Sequence, residues 1–202
     1  PLVLRAPVGG GVGAPESHSE SIESLFAHTP GLKVVTPSGP RAARALLSAA
    51  IRDPDPVLFL EPTALYFSHK EWVPDEPEQI PLGRTLLHQR GEQLTAVSYG
   101  SSLRRLLQAA EKLSREGFSI EVLEAVTLSP LDVEPVLRSL RKTSRLLVFH
   151  EGHRTGDLGA ELLARAQEAG IQLQRFERLT GWDIPYPYPS HEEAYLSSDE
   201  AL

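Results

Sequence analysis

The chain has 202 residues, of which 41% are hydrophobic and 23% charged, with a net charge of −7 and no cysteine or methionine. This composition excludes a disordered chain, and the scattered Lys and Arg residues argue against a nucleic-acid surface. Without cysteine there are no disulfides, thiolate metal sites or Cys nucleophiles. We therefore expect a globular protein that binds neither nucleic acid nor a membrane and has an acidic face for a basic partner.

The start of the chain and its apolar runs bear on location. The longest apolar runs, such as residues 56–60, are too short to span a bilayer, and no charged-then-apolar leader opens the chain. We expect a cytoplasmic protein, or one of the mitochondrial matrix if the source is eukaryotic. Because the chain opens on a strand and lacks methionine, we also expect a fragment of a longer product.

The first part of the chain alternates strands with loops and one helix. Short apolar runs predict three strands: residues 2–4, 33–36 and 57–60. The third is a continuous apolar run, which is typical of a strand covered on both faces. Apolar residues spaced by three and four predict a helix over residues 41–52 with Ser38 as its N-cap. Ser21 or Ser24 is the predicted cap of a short turn that carries Phe26.

Periodicity stops between residues 61 and 90, where prolines stand among acidic residues. This composition predicts an extended linker with little core of its own. We place a first domain over residues 1–72, the linker over 73–91 and a second domain over 92–202.

Strands and helices alternate four times after the linker. The predicted strands are residues 94–99, 120–126, 146–150 and 173–179, and the predicted helices lie over 102–113, 133–140 and 158–166. This order specifies an α/β fold with a mostly parallel sheet and helices on both faces. Asp157 is the predicted N-cap of the last of these helices, and residues 194–202 look like the first turn of a further one.

One loop carries the side chains best suited to chemistry. The run His18-Ser19-Glu20-Ser21 follows Gly9-Gly10-Gly11, so a titratable ring and two hydroxyls lie in a loop after a strand. Such loops hold groups over cofactors in α/β proteins. An imidazole can pass a proton near neutral pH without a large pKa shift. The alternative is a loop histidine that bonds a backbone carbonyl.

Several segments come in an order that is informative: Arg5-Ala6-Pro7, Gly9-Gly10-Gly11, His18-Ser19-Glu20-Ser21, Phe26-Ala27-His28-Thr29-Pro30-Gly31 and Asp53-Pro54-Asp55-Pro56. In this order they closely resemble the beta subunit of the thiamine-diphosphate-dependent 2-oxo acid dehydrogenases of the pyruvate and branched-chain complexes. The resemblance covers nearly the whole chain. It implies the C-terminal part of a pyrimidine-binding domain followed by a transketolase C-terminal-like domain.

The resemblance also implies roles for the loop residues. His18 is expected to face the thiazolium end of thiamine diphosphate, in proton transfer and in acyl transfer to lipoamide. The residues expected to lie at the cofactor are Gly9, Gly10, Gly11, Ser19 and His28. The glycines lack the spacing of a phosphate loop, so we interpret them as flexible backbone that passes near the cofactor. His28 is expected to lie one layer further from the reacting atoms and to order the loop by hydrogen bonds.

Two other groups of residues suggest cation sites. By resemblance, the turn with Ala50, Asp53 and Asp55 implies bound potassium, and oxygen ligands at a helix C-terminus suit that ion. A simple helix stop is the alternative. His150 and His153 are three residues apart, whereas the two histidines of a helical zinc site are four residues apart. The sequence also shows no evident third ligand. The resemblance favours a loop-ordering or subunit-contact role for His150-Glu151.

The implied partners determine what this chain can do. By resemblance, the alpha subunit of an α2β2 heterotetramer holds most of the thiamine diphosphate and its Mg²⁺, and the lipoyl acyltransferase core receives the acyl group. The acid that bonds the aminopyrimidine ring lies upstream of residue 1 in the family, so we expect the 202 residues alone to be inactive. The aromatic and proline-rich residues 180–189 suggest a subunit interface or a core corner.

Other functions stay open at this point. The chain could be a non-catalytic docking subunit for the acyltransferase core. Its acidic C-terminal domain would then bind a basic peripheral domain of the acyltransferase. It could also be the C-terminal region of a transketolase or a deoxyxylulose-phosphate synthase, which lack the combined His-Ser-x-Ser and Phe-Ala-His-Thr-Pro-Gly pattern. The substrate is open between pyruvate and branched-chain 2-oxo acids, although His150-Glu151 and Thr155-Gly156 lean towards the latter.

Overall fold

Nine strands, eight α-helices and one 3-10 helix (Pro189–His191) form in the described part of the chain, which in the computed structural model covers residues 1–14, 16–68, 70–76 and 78–195. The strands are β1 (Leu2–Val8), β2 (Lys33–Val35), β3 (Pro56–Pro62), β4 (Thr85–Gln89), β5 (Leu94–Ser98), β6 (Ile120–Ala125), β7 (Thr127–Ser129), β8 (Arg145–Phe149) and β9 (Arg175–Leu179). The helices are α1 (Glu16–Ser19), α2 (Glu23–Ala27), α3 (Pro40–Arg52), α4 (Leu65–Ser68), α5 (Ser102–Arg115), α6 (Glu134–Thr143), α7 (Leu158–Glu168) and α8 (Glu192–Tyr195). Within these ranges, none of the helices combines the length and apolar character that crossing a membrane requires.

The first sheet has the strand order β1-β3-β2-β7. Both β1 and β2 pair with β3 in parallel. Successive residues of β3 belong to different apolar clusters, with Leu58 and Leu60 in one and Val57 and Phe59 in the other. All four are buried because both faces of β3 are covered, as the continuous apolar run predicts. Leu46 of α3 packs in the second cluster.

The second sheet has the strand order β4-β6-β5-β8-β9. Four of its strands are parallel, and β4 runs antiparallel at one edge. Val97 and Leu123 pack in a cluster with residues of α6 and α7, whereas Ala96 and Val122 pack with residues of α5. The predicted fold, a mostly parallel sheet with helices on both faces, is confirmed.

Two strands form where the sequence pattern predicts none. The predicted linker over residues 73–91 contains β4, in which only Thr85 is buried, so its apolar alternation is weak. The three-residue strand β7 lies in the second half of the chain but pairs antiparallel with β2 of the first sheet. Edge strands this short carry little sequence signal. The domain boundaries placed at residues 72 and 92 stay a prediction.

Helix caps are only partly as predicted. Neither Ser21 nor Ser24 caps α2, because Ile22 holds the N-cap position without a side-chain bond. Ser38 does not cap α3, since Gly39 stands at the N-cap and Pro40 begins the helix, where its fixed φ is favourable. Asp157 is the N-cap of α7, as predicted: its Oδ1 accepts from the Ala160 N–H at 2.8 Å. The turn predicted over residues 194–202 falls within α8 as far as Tyr195, and its remainder lies outside the described residues.

Candidate active-site loop

The candidate loop, residues 9–22, leaves the carboxyl end of β1 and leads into α2. Gly9, Gly11 and Gly13 have φ of +81°, +88° and +66°, which L side chains rarely adopt. A Cβ at Gly10 would lie 1.9 Å from the Tyr186 hydroxyl oxygen. The glycines are therefore required by backbone conformation and close packing. The role expected for Gly9, Gly10 and Gly11, as backbone that passes near the cofactor, stays a prediction.

Two carboxylates from the second half of the chain hold the glycine backbone. Glu151, which follows β8, accepts from the Gly10 N–H at 2.7 Å. Glu192 of α8 accepts from the Gly11 N–H at 2.8 Å through one oxygen and from the Gly13 N–H at 3.1 Å through the other. The Tyr186 hydroxyl donates to Glu192 at 2.5 Å. We call Glu151, Glu192 and Tyr186 the carboxylate clamp.

The next part of the loop also bonds the second half of the chain. Glu20 accepts from the Tyr186 backbone N–H at 3.1 Å, and its other oxygen lies 3.1 Å from His153 Nε2. The side chain of Glu20 thus binds residues that follow β8 and β9. The His153 ring also lies within hydrogen-bond distance, 3.0 Å, of the Ile184 carbonyl.

His18 lies on the one-turn helix α1, and its side chain is exposed. Its neighbour Ser19 is fully buried and donates from Oγ to the Ala14 carbonyl at 3.1 Å. The buried serine and the exposed histidine are adjacent, so the packing of Ser19 turns the His18 imidazole outwards. An exposed imidazole on a fixed loop can exchange a proton with a bound molecule.

A buried polar network fastens the end of the loop. Glu23, at the start of α2, accepts from the Tyr99 hydroxyl at 2.7 Å. The Tyr99 ring stacks on His150, with ring centres 5.1 Å apart, and His150 Nε2 lies 3.2 Å from Asp157. Arg178 also donates to Asp157, at 2.8 Å. Burial, reinforced by the Glu23 carboxylate, raises the pKa of Tyr99 well above its usual value, so its proton stays on the hydroxyl.

Glu151 is the acid with the most unusual proton affinity in this region. Its pKa is raised to about 7, chiefly by burial and in smaller part by the charges of Glu23 and Glu192, while the Gly10 N–H and Arg105 act in the opposite direction. A carboxyl group shifted in this way inside a cleft is a candidate functional group. The sequence signal that could have singled it out is its place directly after the buried strand β8. Glu192 stands in a polar stretch that carries no comparable signal.

His28 lies apart from the glycines. It is exposed at the C-terminal end of α2 and lines a cleft of about 390 Å³ together with Leu158 and Arg165 of α7. Gly10 and Gly11 line another cleft, of about 430 Å³. The structure therefore does not bring His28 to the glycine run, and its role at the cofactor stays a prediction.

The turn proposed for potassium already contains a cation. The Lys33 ammonium donates to both oxygens of Asp53 at 2.7 Å and lies 3.0 Å from Asp55. Burial opposes ionisation of Asp53, but Lys33 and the Asp55 N–H together hold its pKa below the usual value. The Ala50 carbonyl accepts the Asp53 N–H. The Lys33 ammonium thus occupies the space between the two carboxylates and balances one of their two charges, and the potassium site stays a prediction.

Comparison with known families agrees with this architecture. The pyrimidine-binding domain of transketolase matches residues 1–68, and the C-terminal domain of transketolase matches residues 83–202. The chain belongs to the transketolase family. A solved structure described as a split-gene transketolase in an inactive beta4 tetramer has the same fold, with a TM-score of 0.78 at 21% identity, over 98% of this chain and 63% of that one.

Curated relatives within this family are named pyruvate dehydrogenase E1 component subunit beta. The chain is 42% identical to that of Acholeplasma laidlawii over 204 residues and 38% identical to that of Staphylococcus epidermidis over 204 residues, in both cases across 100% of this chain. It spans only 62% and 63% of their lengths. The resemblance to beta subunits predicted from the sequence motifs is confirmed, and the partial coverage agrees with a fragment.

Proposed function

We propose that this chain is part of the beta subunit of a thiamine-diphosphate-dependent 2-oxo acid dehydrogenase, which decarboxylates its substrate oxidatively and transfers the acyl group to lipoamide. The observation that carries the proposal is the exposed His18 imidazole on a loop held from both sides by buried and half-buried acids. The names of the relatives favour pyruvate over branched-chain acids as the substrate. A cytoplasmic location belongs to the same proposal.

His18 is the proposed catalytic residue of the chain. When bound, thiamine diphosphate supplies an electron sink for decarboxylation. The His18 imidazole would hold a proton at one ring nitrogen and release it to the sulfur that leaves when the lipoyl disulfide opens and its other sulfur takes the acyl group. A ring that is exposed in the chain by itself is available for such contact once the partner subunit closes the site.

The remainder of the cofactor site belongs to other polypeptide. The amides of Gly10, Gly11 and Gly13 are taken by carboxylates, so the glycine loop offers no amide cradle for a diphosphate. In the described ranges no group of three or more His, Cys, Asp or Glu side chains could hold a metal ion. Both facts support a chain that contributes a proton-handling group and leaves the diphosphate and Mg²⁺ to the alpha subunit.

The partner surface is proposed to include the aromatic segment after β9. Trp182, Ile184 and Tyr188 are 64%, 51% and 78% exposed, whereas Tyr186 of the same segment is 6% exposed and packs edge-on against Tyr195. The segment therefore combines a core corner with an exposed apolar surface. Such a surface is typical of subunit interfaces and supports assembly with the alpha subunit or the acyltransferase core.

The test compares His18→Ala with the unmodified protein in the full-length subunit assembled with its alpha partner. Acyl transfer to the lipoyl acyltransferase should fall by about 10²-fold or more, the usual contribution of an acid–base group. His28→Ala, ten positions further on and in the cleft beside α7, should lose less acyl-transfer activity. Decarboxylation with an artificial electron acceptor should be measured alongside, with pyruvate and branched-chain 2-oxo acids as substrates.

The docking function is the second candidate, favoured by the net charge of −7 and the exposed aromatic segment. It predicts that His18→Ala leaves acyl transfer unchanged while the assembled complex still forms. That outcome would contradict the catalytic role of His18.

A further inference from the structure

We propose that Glu192 is a positioning residue that sets the conformation of the loop carrying His18, by binding two glycine amides with its two carboxylate oxygens. This inference rests on the proposed function for its catalytic consequence, but its structural part stands alone. Among the described contacts of the loop, Glu192 is the side chain that accepts from two loop amides, those of Gly11 and Gly13.

The geometry at Glu192 is that of an anion held by successive backbone amides. Gly11 and Gly13 both have positive φ, and their N–H groups converge on one carboxylate. Backbone turns of this kind form concave anion sites, and hydrogen bonds to an ionised acceptor are stronger than neutral ones. Burial opposes ionisation of Glu192, but the Tyr186 hydroxyl and the loop amides hold its pKa below the usual value, so the acceptor stays charged at neutral pH.

Tyr186 keeps the carboxylate in place. Its hydroxyl donates to the same Glu192 oxygen that binds Gly11. Its ring is 6% exposed and packs edge-on against Tyr195, with ring centres 4.9 Å apart. Its backbone N–H binds Glu20 of the loop at 3.1 Å. The Glu192 carboxylate is thus held in place by a buried tyrosine of the C-terminal part.

The loop is therefore anchored on both sides of His18. Glu151 and Glu192 hold Gly10 to Gly13 before it, and the bonds from Tyr186 to Glu20 and from Tyr99 to Glu23 hold the chain after it. A loop with four glycines in five positions has high conformational entropy when free. A displacement of about 1 Å in a reacting group can cost about 10²-fold in rate. Loss of these hydrogen bonds should therefore displace His18 and lower the rate of acyl transfer.

Hydrogen–deuterium exchange tests the structural part of the proposal. In Glu192→Ala, exchange of residues 9–14 should accelerate roughly 10-fold or more, because the lost bonds have a charged acceptor. Glu192→Gln keeps one carbonyl oxygen, so its exchange rate over residues 9–14 should lie between that of Glu192→Ala and that of the unmodified chain. Glu111→Gln, an exposed acid on α5 paired with Arg115, removes the same charge and should leave the loop unchanged. Exchange in β6 and β8 reports whether each variant remains folded.

A double-mutant cycle tests the catalytic part in the assembled heterotetramer. Glu192→Ala should lower kcat for acyl transfer with little change in KM, and it should have little further effect when His18 is already Ala. If His18→Ala has no effect, the proposed function fails while the exchange result still decides the role of Glu192. Unchanged exchange in Glu192→Ala, or a loss of activity that persists in full in the His18→Ala background, would overturn the inference.

Discussion

Two acidic clusters of this chain differ in what binds their carboxylates. In the turn after α3, Asp53 and Asp55 share the Lys33 ammonium and form a local ion pair. Around the glycine loop, Glu151 and Glu192 are held mainly by backbone amides and a tyrosine hydroxyl. In the first cluster the Lys33 ammonium holds the pKa of Asp53 below its usual value, whereas in the second burial raises the pKa of Glu151 to about 7. A carboxyl group whose pKa is raised towards neutrality in a cleft is typical of functional sites, so the comparison favours the loop as the active region.

Gly10→Ala should disrupt the contacts around the glycine loop and cause the largest loss of unfolding free energy among the variants proposed here. The new Cβ would lie 1.9 Å from the Tyr186 hydroxyl oxygen and 2.7 Å from its Cζ, so either the ring or the loop must move. Overpacking of this kind typically costs about 3 kcal/mol, and activity should fall further because the clamp is displaced. The control is Gly31→Ala, whose Cβ meets nothing within 4 Å and reports backbone strain alone. Equal losses of unfolding free energy in the two variants would contradict this account.

Glu151→Gln should change the dependence of stability on pH. The folded pKa, about 7, is raised above the ordinary 4.5, so the folded state binds the extra proton. Stability from this group is therefore full below pH 4.5 and is lost as the pH rises through 7. Glutamine resembles the protonated acid and lacks this loss, so above pH 7 the variant should gain on the order of 2 kcal/mol.

The measurement for Glu151 is the melting temperature between pH 5 and 8. At pH 5 the two proteins should be nearly equal, and the difference should open as the pH rises. Glu111→Gln serves as the charge control. A difference that is constant with pH would show that Glu151 titrates normally.

Lys33→Met should have the smallest effect and sharpen the contrast with the loop. The ammonium is partly buried, and its loss should cost about 1 kcal/mol at pH 7. Because the folded pKa of Asp53 is lowered from 3.8, the stabilisation is present above that value and is lost as the pH falls through the lowered pKa. The variant and the unmodified protein should therefore converge in acid.

Potassium added to both proteins in place of sodium tests the cation site in the same experiment. If backbone carbonyls at this turn bind the ion, potassium should raise the melting temperature of both proteins, because a ligand of the folded state stabilises it. Equal melting temperatures in the two salts would remove the potassium prediction. Acyl transfer by Lys33→Met should be unchanged if the turn is purely structural.

Much of the architecture could be predicted because it depends on local patterns. The apolar run of β3, the helix faces of α5 and α7 and the Asp157 cap follow from neighbouring residues alone. The strands β4 and β7 were missed because their stability comes from pairing with distant strands rather than from their own pattern. The caps of α2 and α3 were misassigned by one or two positions, since Gly39 and Ile22 hold the N-cap without a side-chain signal.

The sequence by itself determined the alternation of strands and helices, the family and the position of His18 within a glycine-preceded loop. The tertiary structure alone decided what holds that loop: Glu151 lies 141 residues from Gly10, and Glu192 lies 181 residues from Gly11. Hydropathy and spacing report on contacts within a few residues, whereas these hydrogen bonds exist only after two sheets have packed together. The burial that raises the pKa of Glu151 has the same origin, because desolvation is a property of the packed core and not of the local sequence.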